Sequence, residues 1–358
     1  MNSKLKILMI QETLSSYSVH TFNKLAEKYD FTVLYSDKRC DDNIKFNVIH
    51  NSVKTIGPFA FFKKNILNIM REYDFVICSP YIKYINIIFA SLIYGRKRVI
   101  YYGIGVAASY KNHFDSKKWV TYIFSNYLKL IGSCVFYSNY PIEVYKRLGV
   151  NEQKMFVANN TTYVNIDENF SKRYNTILFI GTLYKEKGIR ELLQSYNEVY
   201  LRNSNINKLV IIGDGEEMEF VQNYTLENNL TSKVEIVGSL FDEKQIAAYF
   251  MDAVACISPN QAGLSVLKSI GYGVPFITKR TAITGGEIFN IIDNFNGIIY
   301  EDDSELSGII ENIYEEKEKF IDFGKNAREY YLKHCTIDIM AEGFINAIDY
   351  AKENNIKK

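Results

Sequence analysis

The residue types best suited to binding a phosphate stand in residues 256–300, where an apolar run ends in a glycine turn. Residues 252–257 are apolar enough for a buried parallel strand, and a helix is predicted to begin near Gly263. At the start of that helix, the amides of Gly263, Leu264 and Ser265 have no partner within the helix and lie at the positive end of its dipole. The pattern predicts an anion site, most naturally for a diphosphate, whereas a tight turn alone is the alternative explanation of Gly263.

The strands that would position this site share one pattern, an apolar run that ends at a glycine turn. In the second half of the chain these runs are residues 176–180 before Gly181, residues 209–212 before Gly213-Asp214-Gly215, and residues 234–237 before Gly238. A Rossmann sheet requires this alternation of strand, turn and helix. We therefore expect a doubly wound α/β domain that binds its ligand at the carboxyl ends of the strands.

The first half of the chain follows the same alternation. Residues 5–10 and 31–35 are typical of parallel strands, and the helix pattern at residues 19–26 between them makes an opening βαβ unit. Further apolar strands are predicted at residues 75–78, 99–102, 134–137 and 155–158. The first domain is therefore expected to be Rossmann-like as well.

Polar residues follow the first predicted strand, at the edge where open α/β sheets bind their ligands. Because the turn there contains Ser15, Ser16 and Tyr17, we expect it to face a cleft. His20 lies just after the turn and is the best placed of the four histidines for a polar role. A structural role is the alternative for a lone histidine on a helix.

A second candidate ligand contact follows the strand at residues 99–102. Residues 103–108 match the letters G-x-G-x-x-A. A dinucleotide fingerprint is nevertheless excluded, because the match follows a late strand and no acidic residue ends a second strand about twenty positions further on. Gly103 and Gly105 still permit a ligand to lie against the backbone.

Composition and length exclude several classes of protein. The 358 residues suggest about two domains, each large enough for its own core. The five cysteines have no paired spacing, so neither a disulfide framework nor a zinc site is indicated. The N-terminus enters a strand pattern without a cleavage site, and the longest apolar stretch, residues 84–95, is too short to span a bilayer. We therefore expect a cytoplasmic protein.

The charge of the chain is distributed unevenly. Residues 1–150 carry 21 Lys and Arg against 10 Asp and Glu, a net charge of +11. Residues 151–358 carry 21 against 31, a net charge of −10. The first half is therefore predicted to be drawn to an anionic surface.

A basic and aromatic segment lies within that first half. Residues 111–130 place Trp119 among Lys111, Lys117, Lys118 and Lys129, a composition typical of helices that lie on anionic lipid. An amphipathic helix that covers the sheet is the alternative. Residues 59–64 are a second, weaker candidate for such a lipid-binding helix.

The glycine turns occur in an order that resembles one family. The segments GTLYKEKG, GDGEE, GSL and PNQAGLSVLKSIGYGVP resemble the motifs of the retaining glycosyltransferases of family four, which have the GT-B fold. The resemblance implies an N-terminal acceptor domain at residues 1–165 and a C-terminal nucleotide-sugar domain at residues 170–330, which face each other across a cleft. Residues 337–344 resemble the closing helix of the family, so C-terminal helices at residues 331–358 are expected to return to the N-terminal domain.

The resemblance also assigns a donor site. Lys187 matches the lysine that binds the donor diphosphate, with a solvated lysine at a helix start as the alternative. Gly213, Asp214 and Gly215 match the turn that lines the nucleotide pocket. The other donor-binding candidates stand in the matching loops and are Gly181, Thr182, Asn260, Gln261, Gly263, Leu264, Ser265 and Lys268.

The chain departs from the family pattern in that donor site. Thr182 stands where the family usually carries an arginine, so Lys185 or Arg190 would have to replace this phosphate cation. Asn260 and Lys268 stand at the positions of the usual two glutamates, which leaves the standard sugar and ribose contacts without their carboxylates.

Glu287 is the carboxylate that remains in this region. It follows Gly285-Gly286 and matches a divergent subgroup that lacks the usual glutamate pair. We expect Glu287 to contact donor hydroxyls and to form the catalytic set with Lys187. Capping of the next helix is the alternative role of Glu287.

The expected function is transfer of a hexose from a nucleoside diphosphate donor to a glycan or polyprenyl-linked acceptor, in bacterial-type surface polysaccharide synthesis. The resemblance implies retention of configuration, and we expect neither metal, nor cofactor, nor nucleic-acid partner. The protein is expected in the cytoplasm and on the inner face of the cell membrane. The alternatives are a nucleotide-sugar epimerase on the same fold and a degenerate partner subunit of a glycosyltransferase.

Overall fold

The computed structural model describes residues 4–40, 43–79, 82–108, 114–165 and 171–356, which form two compact units. The first unit consists of Met1–Ala107, Asp115–Thr161 and Thr336–Lys358. The second unit consists of Ala108–Phe114 and Thr162–Cys335. Lys111 and His113 lie outside the described residues.

The first unit contains nine strands within the described residues, and six of them coincide with predicted apolar runs. They are β1 (Lys6–Gln11), β2 (Asp30–Tyr35), β3 (Asn47–His50), β4 (Val53–Ile56), β5 (Phe59–Phe62), β6 (Phe75–Cys78), β7 (Val99–Gly103), β8 (Ser133–Phe136) and β9 (Met155–Val157). Seven of these form a parallel sheet in the order β3-β2-β1-β6-β7-β8-β9 within the described residues. The order reverses between β1 and β6, as in a doubly wound fold.

The helices of the first unit connect these strands. They are α1 (Ser16–Lys28), α2 (Ile66–Met70), α3 (Ile85–Gly95), α4 (Lys118–Leu130) and α5 (Tyr140–Arg147). Short 3-10 turns lie at Ile82–Tyr84, Arg96–Arg98 and Glu152–Lys154.

The proposal of a lipid-binding helix at residues 59–64 is wrong. These residues contain β5, which pairs antiparallel with β4 across a turn at Gly57. A run as short as Phe59–Phe62 cannot be assigned to helix or strand by periodicity alone, and the positive φ of Gly57 (+57°) allows the tight turn that selects the hairpin.

The second unit repeats the parallel arrangement. Its strands are β10 (Thr176–Ile180), β11 (Lys208–Ile212), β12 (Val234–Gly238), β13 (Ala253–Ile257), β14 (Gln261–Ala262), β15 (Phe276–Lys279), β16 (Ile283–Thr284) and β17 (Gly297–Tyr300). Six of them form a sheet in the order β12-β11-β10-β13-β15-β17, and β14 pairs with β16 as a separate ribbon. The order reverses between β10 and β13, where open α/β sheets form their ligand crevice.

The remaining helices follow in chain order. They are α6 (Ile189–Arg202), α7 (Met218–Glu227), α8 (Glu243–Asp252), α9 (Leu264–Gly271), α10 (Glu305–Glu315), α11 (Lys317–His334) and α12 (Ile337–Ile356). Short 3-10 turns lie at Lys185–Lys187 and Glu287–Asn290.

Both faces of the second sheet are buried, as its continuous apolar strands predict. Phe179 of β10 packs in the cluster that contains Leu192 of α6, whereas the adjacent Leu178 packs in the cluster that contains Val266 of α9. Alternate residues of one strand thus hold α6 and α9 on opposite faces. The prediction of two Rossmann-like α/β domains is confirmed.

Helix α12 belongs to the first unit, although it ends the chain. Its residue Phe344 is buried with a ring centroid 4.7 Å from that of Tyr102, and the Ser133 hydroxyl donates to the Ala347 carbonyl at 2.8 Å. Gly343 allows this close packing, because a Cβ there would come within 2.1 Å of the Val157 carbonyl oxygen. The chain returns to the first unit at Thr336. Residues 331–334, which were expected to begin the returning helices, are the end of α11 in the second unit.

Candidate functional site

The turn after β10 brings a lysine over a glycine. The chain leaves β10 at Gly181 (φ +142°), passes the 3-10 turn Lys185–Lys187 and enters α6 through Gly188 (φ +78°). A Cβ on Gly181 would lie 2.0 Å from the Nζ atom of Lys187, so the lysine side chain lies back over the end of β10. The ammonium is thereby held at the carboxyl edge of the sheet, where β10 adjoins β13.

Lys187 is a buried cation. Its side chain is 7% exposed and lies 5.9 Å from the Phe179 ring centroid and 5.8 Å from that of Tyr184. Within the described residues its ammonium has neither a hydrogen-bond acceptor nor an acidic partner. Burial lowers the pKa of Lys187 from its ordinary value to about 8. A buried ammonium without a counter-ion is costly, which is typical of a site for an anionic ligand.

The glycines after β11 hold the neighbouring turn against this one. A Cβ on Gly213 would lie 1.9 Å from the Gly181 carbonyl oxygen, and one on Gly215 would lie 2.3 Å from that of Leu183. The Asp214 carboxylate binds within its own turn, where its Oδ1 atom accepts from the Gly215 amide at 2.7 Å. The glycines therefore bring the ends of β10 and β11 together.

Helix α9 begins at the expected turn, one strand away. Gly263 is its N-cap with φ −108° and ψ −148°, and no atom of the described residues beyond its chain neighbours lies within 4 Å of where its Cβ would be. The amides of Leu264 and Ser265 occupy the first helical positions, which have no carbonyl partner inside a helix. Both can therefore donate to an anion at this edge.

Asn260 and Gln261 connect the two halves of this edge. The Asn260 amide donates to the Lys187 carbonyl at 3.2 Å, and its side-chain Nδ2 lies 3.5 Å from Oε1 of Glu191. A Cβ on Gly188 would lie 2.8 Å from that Nδ2 atom, so the Asn260 side chain crosses the start of α6. Gln261 belongs to the β14–β16 ribbon, where it pairs with Ile283.

The two cations that could replace the missing arginine, Lys185 and Arg190, are not buried as Lys187 is. Thr182 and Lys185 are exposed, and Lys185 donates its backbone amide to Glu216 at 3.3 Å. Arg190 forms a two-pronged ion pair with Glu217, with 3.1 Å between Nη2 and Oε1. Within the described residues Arg190 is therefore bound by a carboxylate, and its substitution as a phosphate cation stays a prediction.

Lys268 is ion-paired rather than directed at the glycine turns. Its Nζ atom lies 2.5 Å from Oε1 of Glu243, the first residue of α8. The pair therefore ties the helix that follows β12 to the helix that follows β14.

Glu287 is buried at 7% exposure in the loop after β16. Its Oε2 atom accepts from the Gly285 amide at 2.8 Å and lies 3.4 Å from the Thr284 hydroxyl. The Thr284 hydroxyl in turn accepts from the amides of Gly286 at 3.0 Å and Ile288 at 3.2 Å. The carboxylate is therefore fixed by its own loop, with a geometry that organises the turn at Gly286 (φ +118°).

A cavity of about 220 Å³ lies at the carboxyl end of β1 in the first unit. Tyr17 is the one predicted acceptor-side residue in its described lining, and Ser15 and Ser16 begin α1 beside it. The turn that is predicted to face a cleft also contributes Glu12 and Thr13 to that lining. Sequence reasoning missed the other polar members, which are Gln11, Ser79, Tyr84 and Tyr137. Ser79 directly follows β6, and this polar residue after an apolar strand was the available signal.

The remaining acceptor-side candidates, His20, Gly103 and Gly105, do not line this cavity. His20 is exposed on α1. A Cβ on Gly103 would lie 2.6 Å from the Tyr101 hydroxyl oxygen, and one on Gly105 (φ +84°) would lie 2.6 Å from Cδ1 of Phe136. These glycines therefore allow aromatic side chains to cover the loop, and neither lines the cavity.

The described residues contain neither a metal-binding cluster nor a membrane-spanning helix. No group of three or more His, Cys, Asp and Glu side chains there has the arrangement of a metal centre. Within the same ranges, no helix combines the length and hydropathy needed to cross a bilayer.

The sequence of the second unit is similar to a known family. Residues 165–330 match the model described as glycosyl transferases group 1. The uncharacterized glycosyltransferase MJ1178 of Methanocaldococcus jannaschii is 26% identical over 166 residues, which are 45% of this chain but only 44% of that relative. The uncharacterized glycosyltransferase MJ1069 of the same organism is 24% identical over 329 residues, 80% of this chain and 81% of that relative.

Solved structures of similar fold extend over nearly the whole chain. Anabaena Alr3699/HepE in complex with UDP has a TM-score of 0.71 at 15% identity, covering 96% of this chain and 100% of that chain. The pneumococcal O-GlcNAc transferase GtfA in complex with UDP and GlcNAc has a TM-score of 0.71 at 10% identity, covering 97% and 99%. The lipopolysaccharide outer core galactosyltransferase WaaB has a TM-score of 0.64 at 18% identity, covering 96% and 99%. The chain thus has the GT-B fold, and the similarity of residues 165–330 to the glycosyl transferases of group 1 supports a glycosyltransferase.

Proposed function

We propose that this protein transfers a hexose from a nucleoside diphosphate donor to a glycan or lipid-linked acceptor, with retention of configuration, in surface polysaccharide synthesis. The observation that carries the proposal is the buried ammonium of Lys187, which lies at the edge where α9 presents its first amides. The matched family and the UDP bound in similar structures support a nucleotide-sugar donor. Retention rests on the sequence resemblance to family four.

The chemistry requires positive charge near a leaving diphosphate. The bond between the anomeric carbon and the diphosphate oxygen breaks, and the acceptor hydroxyl forms the new bond to that carbon and gives up its proton to an oxygen of the departing diphosphate. Negative charge grows on the diphosphate as it leaves, so Lys187 and the amides of Leu264 and Ser265 stabilise the transition state. These groups supply the charge without requiring a metal ion or a cofactor.

The donor sugar needs polar contacts beside the diphosphate. We assign these contacts to Glu287, whose carboxylate is oriented by Gly285 and Thr284, and to Asn260, whose side chain crosses Gly188. A carboxylate fixed before the ligand arrives can bind sugar hydroxyls with little loss of conformational freedom.

The acceptor belongs to the first unit in this proposal. The cavity beside Tyr17 contains aromatic rings and the carboxylate of Glu12, which pairs with Lys83 at 2.7 Å. Such a mixture of aromatic and polar groups suits a carbohydrate. The name of a similar structure, a lipopolysaccharide galactosyltransferase, supports a cell-surface glycan as the acceptor class.

A lipid-linked acceptor would be reached at a membrane, and the first unit has a surface that fits one. Helices α3 and α4 lie side by side, with the hydroxyl oxygens of Ser91 and Tyr127 2.9 Å apart. Their outer faces carry large apolar side chains that are 60–64% exposed, and we call these the α3–α4 surface: Phe89, Ile93, Trp119, Tyr122 and Ile123. Because Lys117 and Lys118 flank it, we propose that it docks on the anionic cytoplasmic leaflet.

Two measurements test the donor claim. A thermal-shift screen across nucleoside diphosphates and their sugars should find a ligand that raises the melting temperature, because a ligand of the folded state stabilises it with the logarithm of its saturation. The purified protein should hydrolyse that sugar nucleotide slowly, and Lys187→Ala should abolish the hydrolysis. Lys319→Ala removes an exposed lysine of α11 and serves as the matched control. Failure of every common sugar nucleotide to bind the folded protein would refute the proposal.

A noncatalytic partner subunit is the second candidate. Glu287 favours it, because one oxygen of this carboxylate is already bound by the Gly285 amide of its own loop. Binding of a sugar nucleotide without turnover, even with acceptor glycans present, would select the subunit over the enzyme.

A further inference from the structure

A cavity of about 590 Å³ lies in the second unit, and its wall includes part of the loop that holds Glu287. We call it the Phe114–Phe289 cavity, after two rings of its wall whose centroids are 5.3 Å apart. A cavity of this volume is in the range of sites for small organic ligands. Six residues of its described lining are apolar, namely Phe114, Ala282, Ile288, Phe289, Ile291 and Ile299.

The charged residues of the described lining already have partners in the protein. Arg280 is ion-paired with Glu301. The Oδ1 atom of Asp293 accepts from the Ile299 amide at 2.9 Å. Thr281 is exposed to solvent, which can satisfy its hydroxyl. These groups therefore do not require a polar ligand, and the opposite charges of Arg280 and Asp293 favour a ligand without net charge.

The apolar part of the wall is left partly uncovered. Phe289 is 43% exposed although it lines the cavity, so a ligand that covers its ring gains apolar burial. The rings of Phe114 and Phe289 meet at an interplanar angle of 67° and thus offer no pair of parallel faces between which a flat ring could stack. A flexible hydrocarbon chain needs neither stacking faces nor polar partners, and it is the ligand that this wall fits.

The cavity and Glu287 share one hydrogen-bonded turn. Thr284 and Ile288 both line the cavity. The Thr284 hydroxyl accepts from the Ile288 amide at 3.2 Å and lies 3.4 Å from Oε2 of Glu287. A ligand that packs on Thr284 and Ile288 therefore contacts the turn that orients the Glu287 carboxylate.

We propose that the Phe114–Phe289 cavity binds a single hydrocarbon chain of a lipid and thereby favours the turn that orients Glu287. The proposal rests on the proposed function, which assigns Glu287 to the donor sugar, and adds a regulation of that site. A ligand shifts a conformational equilibrium only by its preference for one state, and a chain packed on Thr284 and Ile288 prefers the state in which the turn is formed. The chain belongs either to the acceptor or to a separate lipid, and turnover distinguishes these two sources.

Binding of the chain is measured with neutral single-chain probes. Hexyl and octyl β-D-glucopyranoside, below their critical micelle concentrations, and free glucose are titrated into the wild-type protein by calorimetry. Each buried methylene strengthens apolar binding about fourfold, so octyl glucoside should bind about fifteenfold more tightly than hexyl glucoside. Glucose should bind more weakly than either, because the cavity recognises the chain.

A matched pair of phenylalanines locates the bound chain. Phe289 lines the cavity at 43% exposure, whereas Phe295 is 44% exposed and stands outside the described lining. Phe289→Ser removes apolar wall, so it should weaken octyl glucoside binding about tenfold or more. Phe295→Ser should bind octyl glucoside as the wild type does.

Thr281→Trp tests the same space by filling it. Thr281 is an exposed residue of the lining, so its replacement leaves the buried core intact. An indole in the cavity should abolish octyl glucoside binding, and this variant decides the question if Phe289→Ser does not fold. The triple variant Lys117→Gln, Lys118→Gln and Trp119→Ser should keep the affinity, because the α3–α4 surface is not the site of this chain.

Hydrogen exchange reports the effect on the turn that holds Glu287. Saturating octyl glucoside should slow exchange of the Gly286 and Ile288 amides, which donate to the Thr284 hydroxyl. The amides of Lys244 and Gln245, which donate to Asp242 at the start of α8, are the control and should exchange at an unchanged rate. In Thr281→Trp no amide of the turn should respond to the glucoside.

Turnover identifies the source of the chain. With a sugar nucleotide that binds the protein, octyl glucoside should raise the turnover rate of the wild type and of Phe295→Ser but not that of Phe289→Ser. Glycosylation of the octyl glucoside would assign the chain to the acceptor. Faster donor hydrolysis with recovery of unmodified glucoside would assign it to a separate lipid.

The possible failures are distinguishable. If the wild type hydrolyses a sugar nucleotide but binds octyl glucoside no more tightly than hexyl glucoside, the cavity inference is wrong and the proposed function stands. Equal octyl glucoside affinity in wild type, Phe289→Ser and Thr281→Trp also overturns it, since the chain then lies elsewhere. Unchanged exchange and turnover at saturating glucoside would refute the regulation of Glu287. If the wild type binds octyl glucoside but no sugar nucleotide, the proposed function fails and the regulation with it.

Discussion

The Nζ atom of Lys187 occupies the space that a side chain on Gly181 would need. A Cβ built on Gly181 would lie 2.0 Å from that atom, far inside van der Waals contact. The glycine at the end of β10 is therefore required for the position of the lysine as well as for the backbone, whose φ of +142° L side chains rarely adopt. The two residues form one unit in the proposed diphosphate site.

The first prediction concerns Gly181→Ala. The new methyl group displaces the flexible end of Lys187, so affinity for inorganic pyrophosphate and for the donor should fall about tenfold or more, as expected when a charged contact is lost. The backbone strain should also lower the free energy of unfolding by about 1–3 kcal/mol. Calorimetric titration and urea denaturation measure the two effects.

Gly57→Ala is the control for that experiment. Gly57 also has a positive φ, +57°, but in the described part of the chain no atom beyond its neighbours lies within 4 Å of where its Cβ would be. The Gly57→Ala variant should have a lower free energy of unfolding but an unchanged affinity for pyrophosphate. Normal pyrophosphate binding by Gly181→Ala would show that the position of Lys187 does not matter.

Local sequence patterns predict most strands of the second sheet. Residues 176–180 and 209–212 are predicted as strands and lie within β10 and β11, because apolar runs that end in turn residues have few other solutions. The Gly263 turn likewise predicts the start of α9, which begins at Leu264. Strand β3 and the β4–β5 hairpin were missed, because their short runs have no decisive periodicity.

Long-range ion pairs in the candidate site could not be predicted. Arg190 and Glu217 lie on different helix starts, and Lys268 and Glu243 are 25 positions apart. Each pair exists only because tertiary packing brings two helices together, which a local pattern does not encode. For this reason the sequence indicated the diphosphate turns but not the carboxylates that pair with Arg190 and Lys268.

A second prediction follows from the burial of Lys187. Its pKa falls from 10.5 to about 8, so the folded protein binds this proton less tightly than the unfolded chain does. Below pH 8 both states are protonated, and the full cost of the buried charge, about 3 kcal/mol, opposes folding. Lys187→Met should therefore raise the free energy of unfolding at pH 7, and this gain should vanish as pH rises from 8 toward 10.5. Urea denaturation at several pH values measures it.

Lys172→Met is the contrasting variant. Burial also lowers the pKa of Lys172, to about 7, but its ammonium donates to the carbonyls of Phe250 at 3.2 Å and Gly273 at 3.0 Å. Its removal leaves those acceptors unsatisfied, so stability should fall or stay constant. A loss of stability in Lys187→Met comparable to that in Lys172→Met would mean that Lys187 is a structural residue.

The third prediction is proton uptake on donor binding. Near pH 8 about half of the Lys187 side chains are neutral in the free protein, and a bound diphosphate favours the charged form. Donor binding should therefore cause Lys187 to take up a fraction of a proton at pH 8 and none near pH 6. Calorimetry in buffers of different ionisation enthalpy counts these protons. Lys187→Met should show no such uptake at pH 8, and an equal count in both proteins would remove Lys187 from the site.

The fourth prediction concerns metal removal. Lys187 and the amides at the start of α9 supply the positive charge that a leaving diphosphate needs. Transfer measured in EDTA should therefore equal transfer measured with Mg²⁺ or Mn²⁺. Activity that is lost in EDTA and restored by either ion would contradict the metal-free proposal.

The last prediction concerns the α3–α4 surface. Basic side chains near an anionic membrane contribute about 1 kcal/mol each, and the exposed rings and aliphatic chains of Phe89, Trp119 and Ile123 can enter the interface. The protein should float with phosphatidylglycerol vesicles and remain at the bottom with phosphatidylcholine vesicles. Because salt screens the attraction, flotation should weaken as ionic strength rises.

Variants locate the membrane contact. Replacing Lys117 and Lys118 by Gln and Trp119 by Ser should abolish flotation. The paired change Leu201→Ser and Leu226→Ser removes comparably exposed apolar side chains of the second unit (76% and 63% exposed) and should leave flotation intact. A wild-type protein that stays at the bottom with both kinds of vesicle rules out the docking proposal. Equal flotation of the two sets of variants would place the contact elsewhere than the α3–α4 surface.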